Sequence, residues 1–223
     1  MKTLVVGMAL VVLLAPAVAG QSTDQSEVAV ASKAPRFEWH WREARELSSE
    51  RTIKRSRGLR RVERTALTRA IAARLRPAMA DLQIDSESEL LRVAASTRVE
   101  FVDVNEDGVP EVIAQANDWK AGCGATGNCP LWVLQKREGA YKVLLDTRGG
   151  VQLFAVESNK TDGFFDVVVS TSESGDGRDL FLYRYRNGTY RLNSCYNADW
   201  WSSKGGAWHK LKQPAVTPLS CPH

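Results

Sequence analysis

The chain has 223 residues, 43% of them apolar and 25% charged, with a formal net charge of +4. That composition excludes a low-complexity or charge-extended disordered chain and provides for a sizeable core in one or two compact domains. The charge is modest, but it is unevenly spread along the chain.

Lys2 and Thr3 precede the run LVVGMALVVLLAPAVA, and the small-residue pattern Ala17-Val18-Ala19 suits signal peptidase. The apolar run falls short of the ~20 residues a spanning helix needs, and no cysteine follows the cleavage point for a lipid anchor. Residues 1–19 therefore predict a signal peptide, and the mature chain an exported protein, periplasmic or extracellular. Removing Lys2 leaves 29 basic against 26 acidic residues. Residues 20–35 are polar and patternless, which predicts a flexible lead-in.

From residue 36 to 96 the pattern is helical. FEWHWREARELSSE pairs Glu38 with Arg42 and Arg42 with Glu46 at four-residue spacing. After a break at Gly58, Leu59, Val62, Ala66, Ala70 and Ile71 share one face of a second predicted helix, limited by Pro77. A third helix fits SESELLRVAAS, with Ser86 and Glu89 at capping-box spacing. From residue 97 to 223 the period becomes two. RVEFV, EVIAQ, LWVLQ, YKVLLD, VQLFAV, DVVVS, LFLYRYR and TYRL read as strands, several of them separated by EG, TDG and NG turns.

The four cysteines, Cys123, Cys129, Cys195 and Cys221, are an even count in a chain expected to be exported, which predicts disulfides. Cys123 with Cys129 would close the short GCGATGNCP loop, and Cys195 with Cys221 would pin the tail. A zinc site is disfavoured because His40, His209 and His223 are scattered.

The β half carries an internal similarity. VDVNEDGVPEVIA and LWVLQKREGAYKVL match VESNKTDGFFDVVV and LFLYRYRNGTYRL in order. Asp107-Gly108 aligns with Asp162-Gly163, Glu111 with Asp166, and Gly139 with Gly188.

In the first copy Asp103, Asn105 and Asp107 alternate with other residues, Gly108 lets the backbone turn, and Glu111 follows. A hard cation such as Ca2+ takes about six to eight oxygen ligands. The loop offers Asp103, Asn105, Asp107, the Val109 carbonyl and Glu111. It is not an EF-hand, because Ala114 stands at the twelfth position and the flanks are strand-like. It resembles the calcium loops of FG-GAP and VCBS repeats, which join β-strands in integrin-type propellers. That resemblance implies the same five ligands, with Glu111 replacing the usual final aspartate. In the second copy Ser158 and Lys160 stand in place of Asp103 and Asn105, leaving only Asp162 and Asp166 as donors and predicting a metal-free loop. Residues 101–200 are also similar to a group of exported bacterial proteins without an assigned activity, a resemblance that implies no reaction.

Arg51–Arg76 holds ten basic residues and one acid, Glu63. Arg57, Arg60, Arg61 and Arg64 are its candidate contacts to an anionic surface, although a solvated face is the simpler reading. Trp200, Trp201 and Trp208 read as packing near a disulfide. No GxSxG elbow, HExxH pair or phosphate loop is present, and no catalytic residue stands out.

The expected fold is α+β, a helical N-terminal segment packed on a mostly antiparallel β domain of two blade-like repeats. The expected role is an exported, calcium-stabilised binding module. Its partner would be an envelope or extracellular protein or glycan rather than nucleic acid. The alternatives are a secreted hydrolase acting on cell-envelope material and a basic surface-binding protein using Arg51–Arg76.

Overall fold

Near Ser96 the helical period gives way to the two-residue period, and helices give way to sheet. The computed structural model of the protein describes residues 41–45, 51–147, 149–174, 177–204 and 206–222. The expected signal peptide and lead-in lie outside the described residues.

In chain order the elements are β1 (Trp41–Arg45), α1 (Arg61–Leu75), α2 (Glu87–Ala95), β2 (Arg98–Val102), β3 (Glu111–Gln115), β4 (Leu131–Arg137), β5 (Ala140–Asp146), β6 (Leu153–Thr161), β7 (Phe164–Ser174), β8 (Gly177–Arg186), β9 (Thr189–Lys204) and β10 (Ala207–Leu219). The strands form a four-stranded sheet, β2-β3-β4-β5, and a six-stranded sheet, β1-β6-β7-β8-β9-β10, with every pairing antiparallel. The α+β expectation holds. Within the larger sheet β6 to β9 repeat the up-and-down order of β2 to β5.

The helix expected over residues 36–50 is corrected where it is described. Trp41–Arg45 is a strand that pairs with β6, Ala44 opposite Ala155. Four-residue charge pairs contribute only a few tenths of a kcal/mol each. A sheet edge supplies a whole ladder of backbone partners instead.

In α1 the buried positions are Leu67, Ile71, Ala72 and Leu75. Of the residues expected on the core face, Ile71 is buried but Val62 is 68% exposed. The α2 N-terminus follows its sequence: Ser86 Oγ accepts from the Glu89 N–H at 3.2 Å. The reciprocal half is shifted by one residue, since Glu89 Oε2 accepts from the Asp85 N–H.

Two cores lie on the two faces of the four-stranded sheet. Val99, Val112, Ala114, Trp132 and Leu134 pack with Leu67, Ile71 and Leu90 of the helices. On the other face Ile113, Leu131 and Val133 pack with Phe165, Val167 and Val169 of the six-stranded sheet. The small sheet is therefore a middle layer, and all five residues of β3 are buried. A smaller cluster that includes Val168, Leu180 and Tyr196 is formed by the opposite side of the larger sheet. Both cysteine pairs are bonded, Cys123 to Cys129 and Cys195 to Cys221.

Candidate functional site

The loop of residues 103–110 joins β2 to β3 where Val102 faces Glu111 in register. Short polar side chains organise it by bonding back to its own amides. Asp103 Oδ1 accepts from the Asn105 and Glu106 N–H groups at 3.3 and 2.7 Å, and Oδ2 accepts from Gly108 at 3.0 Å. Asn105 Oδ1 accepts from the Asp107 N–H at 3.0 Å, and its amide donates to Asp107 Oδ2 at 2.9 Å. The Val109 N–H donates to Asp107 Oδ1 at 2.8 Å. The turn takes Glu106 and Gly108 through positive φ, at 61° and 81°. Only glycine adopts the second without strain.

Glu111 is the first residue of β3 and is 1% exposed. Its Oε2 accepts from the Val104 N–H at 3.1 Å, and its Oε1 from the Gln135 amide at 2.9 Å. Both partners are neutral. Burial pushes the Glu111 carboxyl above the ordinary carboxylate range, and the charges on Asp107 and Asp103 push it further. For Asp103 burial acts in the same direction. There the N–H groups of Gly108, Asn105, Glu106 and Asp107 outweigh it and hold the carboxyl below its ordinary range.

The loop rests on the β6–β7 hairpin. The Phe165 N–H donates to the Val104 carbonyl at 2.8 Å, and Lys160 Nζ donates to Glu106 Oε2 at 2.5 Å. Lys160, which the sequence places inside the second loop, thus reaches across to the first and lies over the Phe165 ring. In that second loop Asp162 sits at positive φ in the turn. Asp166 is buried, but unlike Glu111 it meets a cation. Its Oδ1 accepts from Thr161 Oγ1 at 2.7 Å, and its Oδ2 from Arg184 Nε at 3.2 Å. Tyr190 donates to the Phe165 carbonyl at 2.8 Å. Burial raises its hydroxyl pKa strongly, and the charges of Glu111 and Asp166 add to the effect.

As a donor set, Asp103, Asn105, Asp107, the Val109 carbonyl and Glu111 are all oxygen, which suits a hard cation. Among the described residues, however, no three or more His, Cys, Asp or Glu side chains are gathered as a metal cluster. The loop carboxylates are turned to the loop's own amides. Asp103 Oδ1 is taken up by two amides, but Asp103 Oδ2, both Asp107 oxygens and both Glu111 oxygens each keep a further lone pair, and Glu111 is a buried acid with no cationic partner among the described residues. On those grounds the residues fit such an ion.

Two residues that sequence reasoning passed over, Gln135 and Arg184, decide what each buried acid meets. Arg184 inside the apolar and aromatic run LFLYRY was the available signal. Of the expected surface-binding arginines, Arg60 is paired with Glu63 at 3.0 Å, whereas Arg61 and Arg64 line a groove beside α1. Trp200 and Trp201 are half-buried in β9, and Trp208 on β10 is exposed. Compared with protein-family models, curated proteins and solved structures, the chain matches none.

Proposed function

We propose that the protein is an exported binding module whose β2–β3 loop is clamped by Ca2+, with Asp103, Asn105, Asp107, the Val109 carbonyl and Glu111 as the ligands. The observation that carries this reading is the contrast between two buried acids. In the aligned segments LWVLQKREG and LFLYRYRNG, Gln135 and Arg184 occupy the same position, as Glu111 and Asp166 do in theirs. Asp166 has a built-in cation and Glu111 has a neutral amide. A buried carboxylate without a counter-charge is costly. A divalent ion would supply that charge and offset the repulsion among Asp103, Asp107 and Glu111.

The two meanders are then copies of one unit stacked in the same sense. Val112 faces the helices and Ile113 faces the larger sheet; their counterparts Val167 and Val168 face the smaller sheet and the opposite side. The ion's role in this reading is structural, holding the loop against the β6–β7 hairpin. Two disulfides suit an oxidising compartment. The partner would be an envelope or extracellular protein or glycan.

Thermal unfolding in chelator and in millimolar Ca2+ tests the reading. Calcium should raise Tm by about 3–5 °C, and the double variant Asp103→Asn/Asp107→Asn should abolish the rise. Identical melting of the wild type in both buffers would reject it.

A further inference from the structure

Eight of the ten basic residues of Arg51–Arg76 fall into two sets. Arg51, Arg60, Arg74 and Arg76 are paired with Glu100, Glu63, Asp146 and Glu87. Lys54, Arg61, Arg64 and Arg69 instead line one groove of about 370 Å³ between α1 and α2, with Leu91 and Ala95 as its apolar surface above the buried Ile53 and Thr65 and Thr68 beside them. No carboxylate lines this groove, and none of the four cations has an acidic partner among the described residues. Arg64 makes one long bond, 3.3 Å, to the Ser56 carbonyl. A second concavity of about 300 Å³ shares Arg69 and Leu91 with it but is polar, lined by the paired Arg76 and Glu87, and is no part of the groove.

We infer that this groove is a binding site for an anionic amphiphile, a phosphate ester carried on an apolar chain. A lone carboxylate has two oxygens and is satisfied by one guanidinium fork. Three arginines and a lysine around one concavity match an anion that presents three oxygens. The wall between the cations is aliphatic, and Leu91 and Ala95 give a short apolar chain a surface to lie on within the groove itself. A nucleic acid would call for a stripe of cations with aromatic platforms. Here the cations ring a single hollow, and no aromatic side chain lines it. The inference is independent of the calcium loop, which no groove residue touches.

Calorimetry on the full chain tests it, using dihexanoylphosphatidic acid below its micelle concentration, inorganic phosphate, and dihexanoylphosphatidylcholine. The phosphatidic acid should bind one to one and be weakened about tenfold or more by Arg61→Gln/Arg64→Gln/Arg69→Gln. Inorganic phosphate should bind far more weakly, and the zwitterionic lipid should not bind. Arg55→Gln, an exposed residue outside the groove, should bind like wild type. Should the triple variant fail to fold, Thr68→Glu places a repelling charge in the groove and should weaken binding to a similar degree. The inference is overturned if phosphatidic acid does not bind or if folded groove variants bind it unchanged. It is equally overturned if the Arg55→Gln control loses as much, or if inorganic phosphate binds as tightly.

Discussion

Single side chains set the local charge balance in ways that mutation can expose. Asp166 is 4% exposed and leans on Arg184, which is 39% exposed. Arg184→Gln would leave a buried carboxylate without its cation. We expect a loss of about 2 kcal/mol, less than for a fully buried pair because Arg184 is partly solvated; urea denaturation of the pure protein measures it, and an unchanged midpoint would contradict the argument. The matching change in the other sheet, Gln135→Arg, should make melting independent of Ca2+ by giving Glu111 a cation of its own. Glu63 offers a pH-resolved case. It accepts from the Arg60 backbone and guanidinium and from Lys136 Nζ, tying α1 to β4. Those bonds, Arg60 first, lower its carboxyl to about 2. A depressed acid stabilises the fold fully above its unfolded pKa, and that contribution disappears as pH falls through the folded value. Glu63→Gln should therefore cost about 1 kcal/mol at neutral pH, with the gap to wild type closing between about pH 4.5 and pH 2. A gap that stays constant across that window would refute the assignment.

Elements are fixed by turns at their ends as much as by propensity within them. Glu138-Gly139, Asp162-Gly163 and Asn187-Gly188 all take positive φ at both positions, the conformation of two-residue hairpin turns. These dipeptides are readable in the sequence because few residues tolerate that backbone. The cystine loop between β3 and β4 has a different job. Asn128 bonds both backbone groups of Ser172 in β7, and Gln152 donates to the Thr126 carbonyl, so the loop latches one sheet to the other. Gly150 passes so close beneath it that an added Cβ would lie 2.6 Å from the Asn128 carbonyl carbon. Backbone cannot yield there as a flexible side chain can. Gly150→Ala should cost about 1–3 kcal/mol, read as a fall in Tm, and wild-type melting would show that the latch has slack.

At the scale of the whole molecule, layering sets which parts open first. The four-stranded sheet is covered on both faces, while β1 and β10 are the outer strands of the larger sheet. Amide exchange should be slowest in β3 and β4 and fastest in β1 and β10; the reverse order would mean that the layers do not share one cooperative core. β10 carries Lys210, Lys212, Pro214 and Pro218, and its register with β9 breaks between Lys210 and Ala215. Charge, proline and a bulge all discourage a further strand from adding to that edge.

The sequence by itself determined the α+β class, the hairpin turns and the expectation of disulfides, since each depends on residues near one another or on a count; which cysteines pair was decided by the fold. It also marked the oxygen-rich loop and its order of donors. Tertiary structure decided what those features meet. Trp41–Arg45 became a strand because a sheet edge was available to it, and β10 formed against β9 despite two prolines. The neutral partner of Glu111, the cation of Asp166 and the convergence of Lys54, Arg61, Arg64 and Arg69 on one groove arise where strands or helices far apart in sequence come together. Charge compensation in a low-dielectric interior depends on distances of a few ångströms between such segments, and no local pattern encodes them.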